Sequence, residues 1–356
     1  MRVLLVTGMF DEQRGKPSSK VAGYTTPTGY FTDRINGGSY DMLEHITAIA
    51  SLPNMYDIVI WGPNVKSDLM GKQIEMLKAE NPKMFLVSFK RNFDGEYSLP
   101  EVIAHGLRNH SNLIIMRTRE YFEVLDPLGN SYGQRLDIPS TLLLALFTAQ
   151  QIKHNTTRMR SVSLGKEVPH YDGDGAELLE FLEVVHEAGA RFTEHVPVIG
   201  DNPRFLGNAS FRCASGFPSF RLGEAMWISP RNVDKEGLSL EQFVCVPLNN
   251  SNPLEFYGVR KPSVDAPVQR ELYKLLPDVR FMIHGHVYID EAPFTETYVP
   301  CGSLEEISEI IGVAALNEGF GVVNLRNHGC IFFGTNPLQI LNQLRRIKSR
   351  PLPEPV

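Results

Sequence analysis

The sequence predicts a two-domain α/β protein, and three observations predict it. Apolar, β-branched runs alternate with stretches of helical apolar spacing through the first half, the pattern of a parallel sheet with crossover helices. A polar segment, His154–Gly175, in which neither period survives, reads as a linker to a second series of strands and helices. The chain has 356 residues, enough for two cores at roughly 150 residues each. The expected division is a domain over residues 1–160 and a second over 161–356.

In the first half, Arg2–Thr7 reads as a buried strand and Gly8–Gly38, rich in Gly, Thr, Ser and Pro, as a loop. Ser39 can cap a helix carrying Met42, Leu43, Ile46 and Ile49, and Asp57–Trp61 is the next strand. A helix over Ser67–Glu80 leads to the strand Met84–Phe89. Ser98 and Glu101 form a capping box for a helix reaching about His110. Asn112–Met116 is a strand, Tyr121–Leu125 with the Gly129–Asn130 turn is a hairpin, and Ser140–Ile152 is a helix with a leucine stripe.

In the second half, Ala176–Ala188 is an amphipathic helix. Strands follow at Ala209–Cys213, Ala225–Ile228 and Phe243–Pro247, then a helix entered through Pro267 and the strand Val279–His284. Ser303 and Glu306 read as a second capping box, followed by strands Gly321–Leu325 and Cys330–Phe333 and a helix from Asn336 and Pro337.

Composition excludes several functions. Hydrophobic residues make up 42%, yet no apolar run approaches the ~20 residues that span a bilayer, so no membrane partner is expected. The formal charge of −6 gives no bulk attraction to a phosphate backbone, and no nucleic-acid partner is expected. Met1 leads directly into a strand-like run without a signal-peptide layout, which predicts a cytoplasmic protein. The four cysteines lack CxxC spacing and read as reduced thiols.

The densest chemical signal is Phe281-Met-Ile-His284-Gly-His286. A strand alternates faces with period two, so both imidazoles aim the same way. His328, in an Asn-His-Gly turn between two apolar strands, can return to the pair. Three neutral imidazoles with an open fourth position make a catalytic zinc site. Asp265, just before the helix that feeds the His284 strand, can serve as ligand, proton acceptor or helix cap.

From about Ala176 to Leu344 the chain resembles the class II aldolase and adducin family, the zinc-dependent sugar-phosphate lyases and epimerases. The resemblance rests on seven pieces in order: Gly207-Asn208-Ala-Ser210-Phe-Arg212, Trp227-Ile-Ser229-Pro230, Val233-Asp-Lys-Glu-Gly-Leu238, Lys261-Pro262-Ser263-Val-Asp265, His284-Gly-His286, Val299-Pro300-Cys301 and Arg326-Asn327-His328-Gly329. It implies an α/β/α fold, a Zn2+ or other divalent ion on His284, His286 and His328, and a catalytic Asp265. It also implies substrate contacts from Gly207, Asn208, Ser229 and Ser263, and a homotetramer. Arg231 stands where family members have hydroxyls and a glycine, and could hold an anion in their place. The family's catalytic tyrosine has no aligned match; Tyr298 is nearby, with Asp290 and Glu291 as further proton-transfer candidates.

The implied activity is that of a lyase acting through an enediolate on a small hydroxy-carbonyl compound, such as a sugar phosphate. Epimerisation at C4, dehydration and a non-catalytic adducin-like scaffold are the alternatives on the same frame.

The Val3–Thr7 strand with Gly8, Tyr56–Gly62, Lys83–Phe89 and Phe122–Gly129 resemble the phosphopantothenate–cysteine ligase fold. That resemblance implies a Rossmann-like three-layer domain in which the Gly8–Gly38 loop and Lys90-Arg91 could meet a nucleotide's phosphates, as in a nucleotide-dependent bifunctional enzyme.

Overall fold

The computed structural model describes residues 2–6, 10–11, 16–17, 41–43, 56–61, 85–108, 111–129, 131–149, 157–169, 171, 175–195, 205–212, 224–249, 252–314 and 319–347. The chain divides into two compact units, one taking in Met1–His154 and the other Asn155–Ser349. Among the described residues no helix is long and apolar enough to cross a membrane.

The first unit's strands are β1 (Val3–Val6), β2 (Phe10–Asp11), β3 (Lys16–Pro17), β4 (Asp41–Leu43), β5 (Ile58–Trp61), β6 (Phe85–Arg91), β7 (Leu113–Arg117), β8 (Phe122–Leu125) and β9 (Ser131–Arg135). Seven of them form a sheet in the order β4-β1-β5-β6-β7-β8-β9. Its first five strands are parallel and its last two antiparallel. Helices α1 (Leu99–Arg108) and α2 (Ser140–Ala149) belong to this unit. The predicted capping box opens α1: the Ser98 hydroxyl accepts from the Glu101 N–H at 3.4 Å, and Glu101 Oε2 accepts from the Ser98 N–H at 2.7 Å.

Three expectations for this unit change. Asp41–Leu43, expected in a helix, is an edge strand on β1, because two adjacent apolar residues satisfy either period and pairing decides between them. The strand expected over Met84–Phe89 runs on through Lys90 and Arg91, which pair with Met116 and Arg117. Lys90 Nζ lies 3.6 Å above the Tyr97 ring, and burial lowers its pKa. Most of the Gly8–Gly38 loop and the helix expected over residues 67–80 lie outside the described residues, although β2 and β3 pair as a short antiparallel ribbon inside that loop.

The second unit holds β10 (Ser161–Gly165), α3 (Gly175–His195), β11 (Asn208–Arg212), β12 (Ala225–Ile228), β13 (Val244–Pro247) and β14 (Leu254–Tyr257). After these come α4 (Ala266–Leu275), β15 (Phe281–Gly285), α5 (Glu305–Val313), β16 (Gly321–Leu325), β17 (Gly329–Gly334) and α6 (Pro337–Leu344). The eight strands form one sheet in the order β10-β14-β13-β12-β11-β15-β17-β16. Only β10 and β14 pair in parallel.

Alternation along the strands builds two cores, one per face. On one face, Phe281 and Ile283 of β15 meet Phe181 and Phe192 of α3 and Ile340 of α6. On the other, Met282 meets Val268 and Leu272 of α4 and Ile310 of α5. The result is the predicted α/β/α layering, with His284 next in line after Met282.

The segment expected to be a linker contains β10. Val162, Ser163 and Leu164 are all exposed, so no buried face imposes an alternation that sequence reading could detect.

Candidate metal centre

The three predicted histidines converge. His284 is the fourth residue of β15, His286 lies just past the strand's end, and β15 pairs with β17 in the register His284 with Ile331 and Gly285 with Cys330. The tight turn at residues 326–328 carries His328 back over this end. Asn327 adopts a φ of 54° there, and its N–H donates to the Tyr288 hydroxyl at 2.8 Å. Ring centroids lie 4.6 Å apart for His284 and His328, 5.0 Å for His284 and His286, and 5.3 Å for His286 and His328. The ligand nitrogens of the three rings all fall within 4.8 Å of one another.

Hydrogen bonds on the far side of two rings fix which nitrogen faces inward. His284 Nδ1 bonds the Cys330 carbonyl at 2.8 Å, and His328 Nδ1 bonds Glu306 Oε1 at 2.7 Å. His284 Nε2 is thereby left as a lone-pair donor, and His328 Nε2 becomes one when the ring gives up its second proton to a bound cation. His284 Nε2, His328 Nε2 and His286 Nδ1 are buried without a hydrogen-bond partner. An unsatisfied buried polar atom costs about 1–3 kcal/mol, so three clustered together are a donor set that fits a divalent cation. Burial, followed by the charge of His328, pulls the His284 pKa down to about 4, and burial also lowers His286 well below the ordinary imidazole range. Both rings are therefore neutral, the form that ligates.

Asp265 occupies the N-cap position of α4 but makes no side-chain cap bond. Its Oδ2 accepts from Asn208 Nδ2 at 3.0 Å and lies 3.8 Å from His284 Nε2, while its Oδ1 accepts from the Cys301 thiol at 3.0 Å. Burial pushes the carboxyl pKa up, but His284, His328 and the Cys301 thiol more than offset it and hold the group below the usual carboxylate range.

Glu306, Cys301 and Lys235 are the residues that sequence reasoning did not assign to the site. The expected Ser303–Glu306 capping box is not formed. Helix α5 has no side-chain cap bond, Ser303 Oγ is buried without a partner, and the Glu306 carboxylate turns to His328 instead. A buried imidazole offers a stronger, charge-assisted bond than a backbone amide that α5 can present to water. Burial raises the Glu306 pKa; it would lower that of His328, but there the attraction of Glu306 wins and raises it. Glu306 in the first turn of α5 and Asp265 at the start of α4 both sit where helix dipoles favour negative charge. Lys235 is buried, donates to the Phe205 carbonyl at 3.2 Å, and has its pKa lowered to about 8 by burial.

If Glu306 orients and polarises His328, Glu306→Gln keeps the volume and removes the charge. Metal affinity is then expected to fall ~10–100-fold, as read by competition against a chromophoric chelator.

The residues expected to contact substrate are adjacent but mostly occupied. Asn208 bonds Ser263, Asp265 and Gln269, and the Ser229 hydroxyl accepts from the Ala209 N–H at 3.1 Å. Backbone bonds from Ser263 to Ser229 and from Arg231 to Lys261 hold these loops side by side. Arg231 is exposed.

Gly207 has a φ of 80°, and a Cβ there would collide with the His284 carbonyl oxygen. Gly207→Ala is therefore expected to destabilise the domain by more than about 1 kcal/mol, as a lowered urea midpoint would register.

Half-buried Tyr298 has its hydroxyl pKa raised by burial, and His328 and Glu306 are among its charged neighbours. Asp290 and Glu291 do not join the cluster: Glu291 pairs at the surface with Arg346, which also bonds the Asp290 carbonyl.

Comparison with known proteins supplies the family. Residues 182–289 match the sequence model of the Class II Aldolase and Adducin N-terminal domain. The chain carries a class II aldolase and adducin domain. The matched stretch includes Asp265, His284 and His286, whereas Cys301, Glu306 and His328 follow it.

Among solved structures, a sugar-phosphate aldolase from Thermotoga maritima is similar at 12% identity and a TM-score of 0.34, over 46% of this chain and 89% of that one. An L-fuculose 1-phosphate aldolase is similar at 18% identity and 0.32, over 47% and 81%. The N-terminal class II aldolase domain of a conserved protein from Thermoplasma acidophilum is similar at 14% and 0.34, over 51% and 94%. No curated protein matches.

Proposed function

We propose that the class II aldolase domain is a metal-dependent lyase acting on a small hydroxy-carbonyl compound, with epimerisation or dehydration as the alternative outcome on the same residues. The observation that carries the reading is the set of three buried, unpartnered ring nitrogens beside an ionised Asp265. His284, His286 and His328 would hold the ion, and three imidazoles favour Zn2+ among abundant divalent cations. Such an ion, when bound, supplies positive charge to an oxygen that becomes an oxyanion as a bond beside a carbonyl breaks.

The remaining work falls to the chain's own residues. Asn208 fixes the Asp265 carboxylate by its bond to Oδ2, the oxygen nearest His284 Nε2 and the one placed to take a proton from substrate. Arg231 presents the exposed cation for an anionic tail such as a phosphate. Tyr298, kept protonated by its raised pKa, is a second proton source.

Elemental analysis and a screen of phosphorylated and unphosphorylated hydroxy-aldehydes and hydroxy-ketones test the reading. Stoichiometric metal and chelator-sensitive turnover of at least one compound are expected. A protein that takes up no divalent ion would overturn it. Light scattering checks the tetramer the family resemblance implies.

A further inference from the structure

His328 belongs to two groups of possible ligands. One is the histidine triad; the other is Asp265, Cys301 and His328, whose donor atoms also lie within 4.8 Å of one another. Cys301 directs its thiol at Asp265 Oδ1, 3.0 Å away, and it is partly accessible rather than sealed in a core. The Gly302 N–H also donates to the Asp265 carboxylate, which ties the Cys301 turn to the start of α4. His328 Nε2, 5% exposed as a residue and without a partner, completes the group. Cys245 and Cys330, by contrast, are packed in the core on the opposite face of the sheet.

We propose that Cys301 is a metal ligand. Together with Asp265 and His328 it forms a thiolate-bearing position beside the histidine triad, selective for thiophilic divalent cations such as Zn2+, Co2+ and Cd2+ over Mg2+ and Mn2+. The inference rests on the reading that the histidine cluster holds a metal. An ion against His328 Nε2 has imidazoles on one side and a carboxylate with a thiol on the other. Soft sulfur favours the thiophilic ions, whereas hard cations prefer all-oxygen shells. On binding, one sulfur–metal bond forms and the S–H bond breaks. The proton passes along the existing hydrogen bond to Asp265 Oδ1 and on to solvent, leaving both groups ionised as ligands.

Cobalt titration of the chelator-treated full-length protein tests this, because thiolate coordination is spectroscopically distinct from imidazole coordination. The wild type should develop both visible ligand-field bands and a near-ultraviolet thiolate-to-cobalt charge-transfer band. Cys301→Ser should keep the former and lose the latter, with Cys301→Ala as the second variant should the serine protein misfold. Ligand-field bands without charge transfer in the wild type, or a charge-transfer band that survives both substitutions, would overturn the assignment and leave the histidine site standing. If the wild type binds no cobalt at all, the assignment and the proposed function fall together.

Discussion

Replacing His284 and His286 together with alanine is expected to abolish stoichiometric metal binding and, with it, any catalytic turnover. The two rings supply two of the three unpartnered nitrogens, and an ion left with only His328, Asp265 and Cys301 lacks the pair of neutral imidazoles that complete its shell. The effect on stability should depend on metal. An ion that binds only the folded state at a free concentration a thousandfold above its Kd adds ~4 kcal/mol, which for a domain of this size raises the Tm by roughly 10 °C. Wild-type protein should lose that increment when treated with a chelator, whereas the double variant should melt at the same temperature with and without it. Equal metal content in both proteins, measured by mass spectrometry of the elements, would remove the histidines from the site.

Asp265→Asn should leave a folded, metal-containing protein that has lost ~10²–10⁴-fold in turnover. Sequence reasoning expects little loss of stability, because Asn caps helices about as well as Asp. The structure changes the reason and the size of that cost. Asp265 caps nothing; its two oxygens accept separately from Asn208 and Cys301. An asparagine has one acceptor oxygen, so one buried donor loses its partner at about 1–3 kcal/mol. A urea midpoint lowered by that amount with metal retained, together with collapsed turnover, would separate chemistry from folding. Turnover equal to wild type would reduce Asp265 to a structural anchor for Asn208 and Cys301.

The histidine cluster was legible because two local rules suffice for it. Period-two alternation puts His284 and His286 on one face, and an Asn-His-Gly turn between apolar strands brings His328 back to them. Glu306 was hidden by an ambiguity in spacing. Serine followed three residues later by glutamate is the pattern of a capping box, and nothing local says that the carboxylate will prefer an imidazole 22 residues further on. Cys301 was legible only as part of Val299-Pro300-Cys301, since its partner Asp265 lies 36 residues earlier. Strand β10 escaped for the opposite reason: at an exposed sheet edge its side chains carry no burial pattern at all. In the first unit the parallel strands announced themselves by buried apolar runs, whereas β4 is three residues long, too short for either periodicity to decide.

The strand order of the second unit also sets when its parts come together. Strands β12, β13 and β14 are neighbours in both sequence and space, so their pairing closes only short loops. The β11–β15 and β10–β14 pairs join strands far apart along the chain and carry a larger loop-closure entropy, the feature that slows folding in sheet proteins. His284 lies on β15, and His328 follows β16, the next strand along the chain. The chemical centre is thus completed by the β15–β17 pairing, which follows neither from the compact β12–β14 meander nor from any single strand. A chain in which β15 and β17 have not yet paired presents at most two of the three imidazoles at the sheet's end.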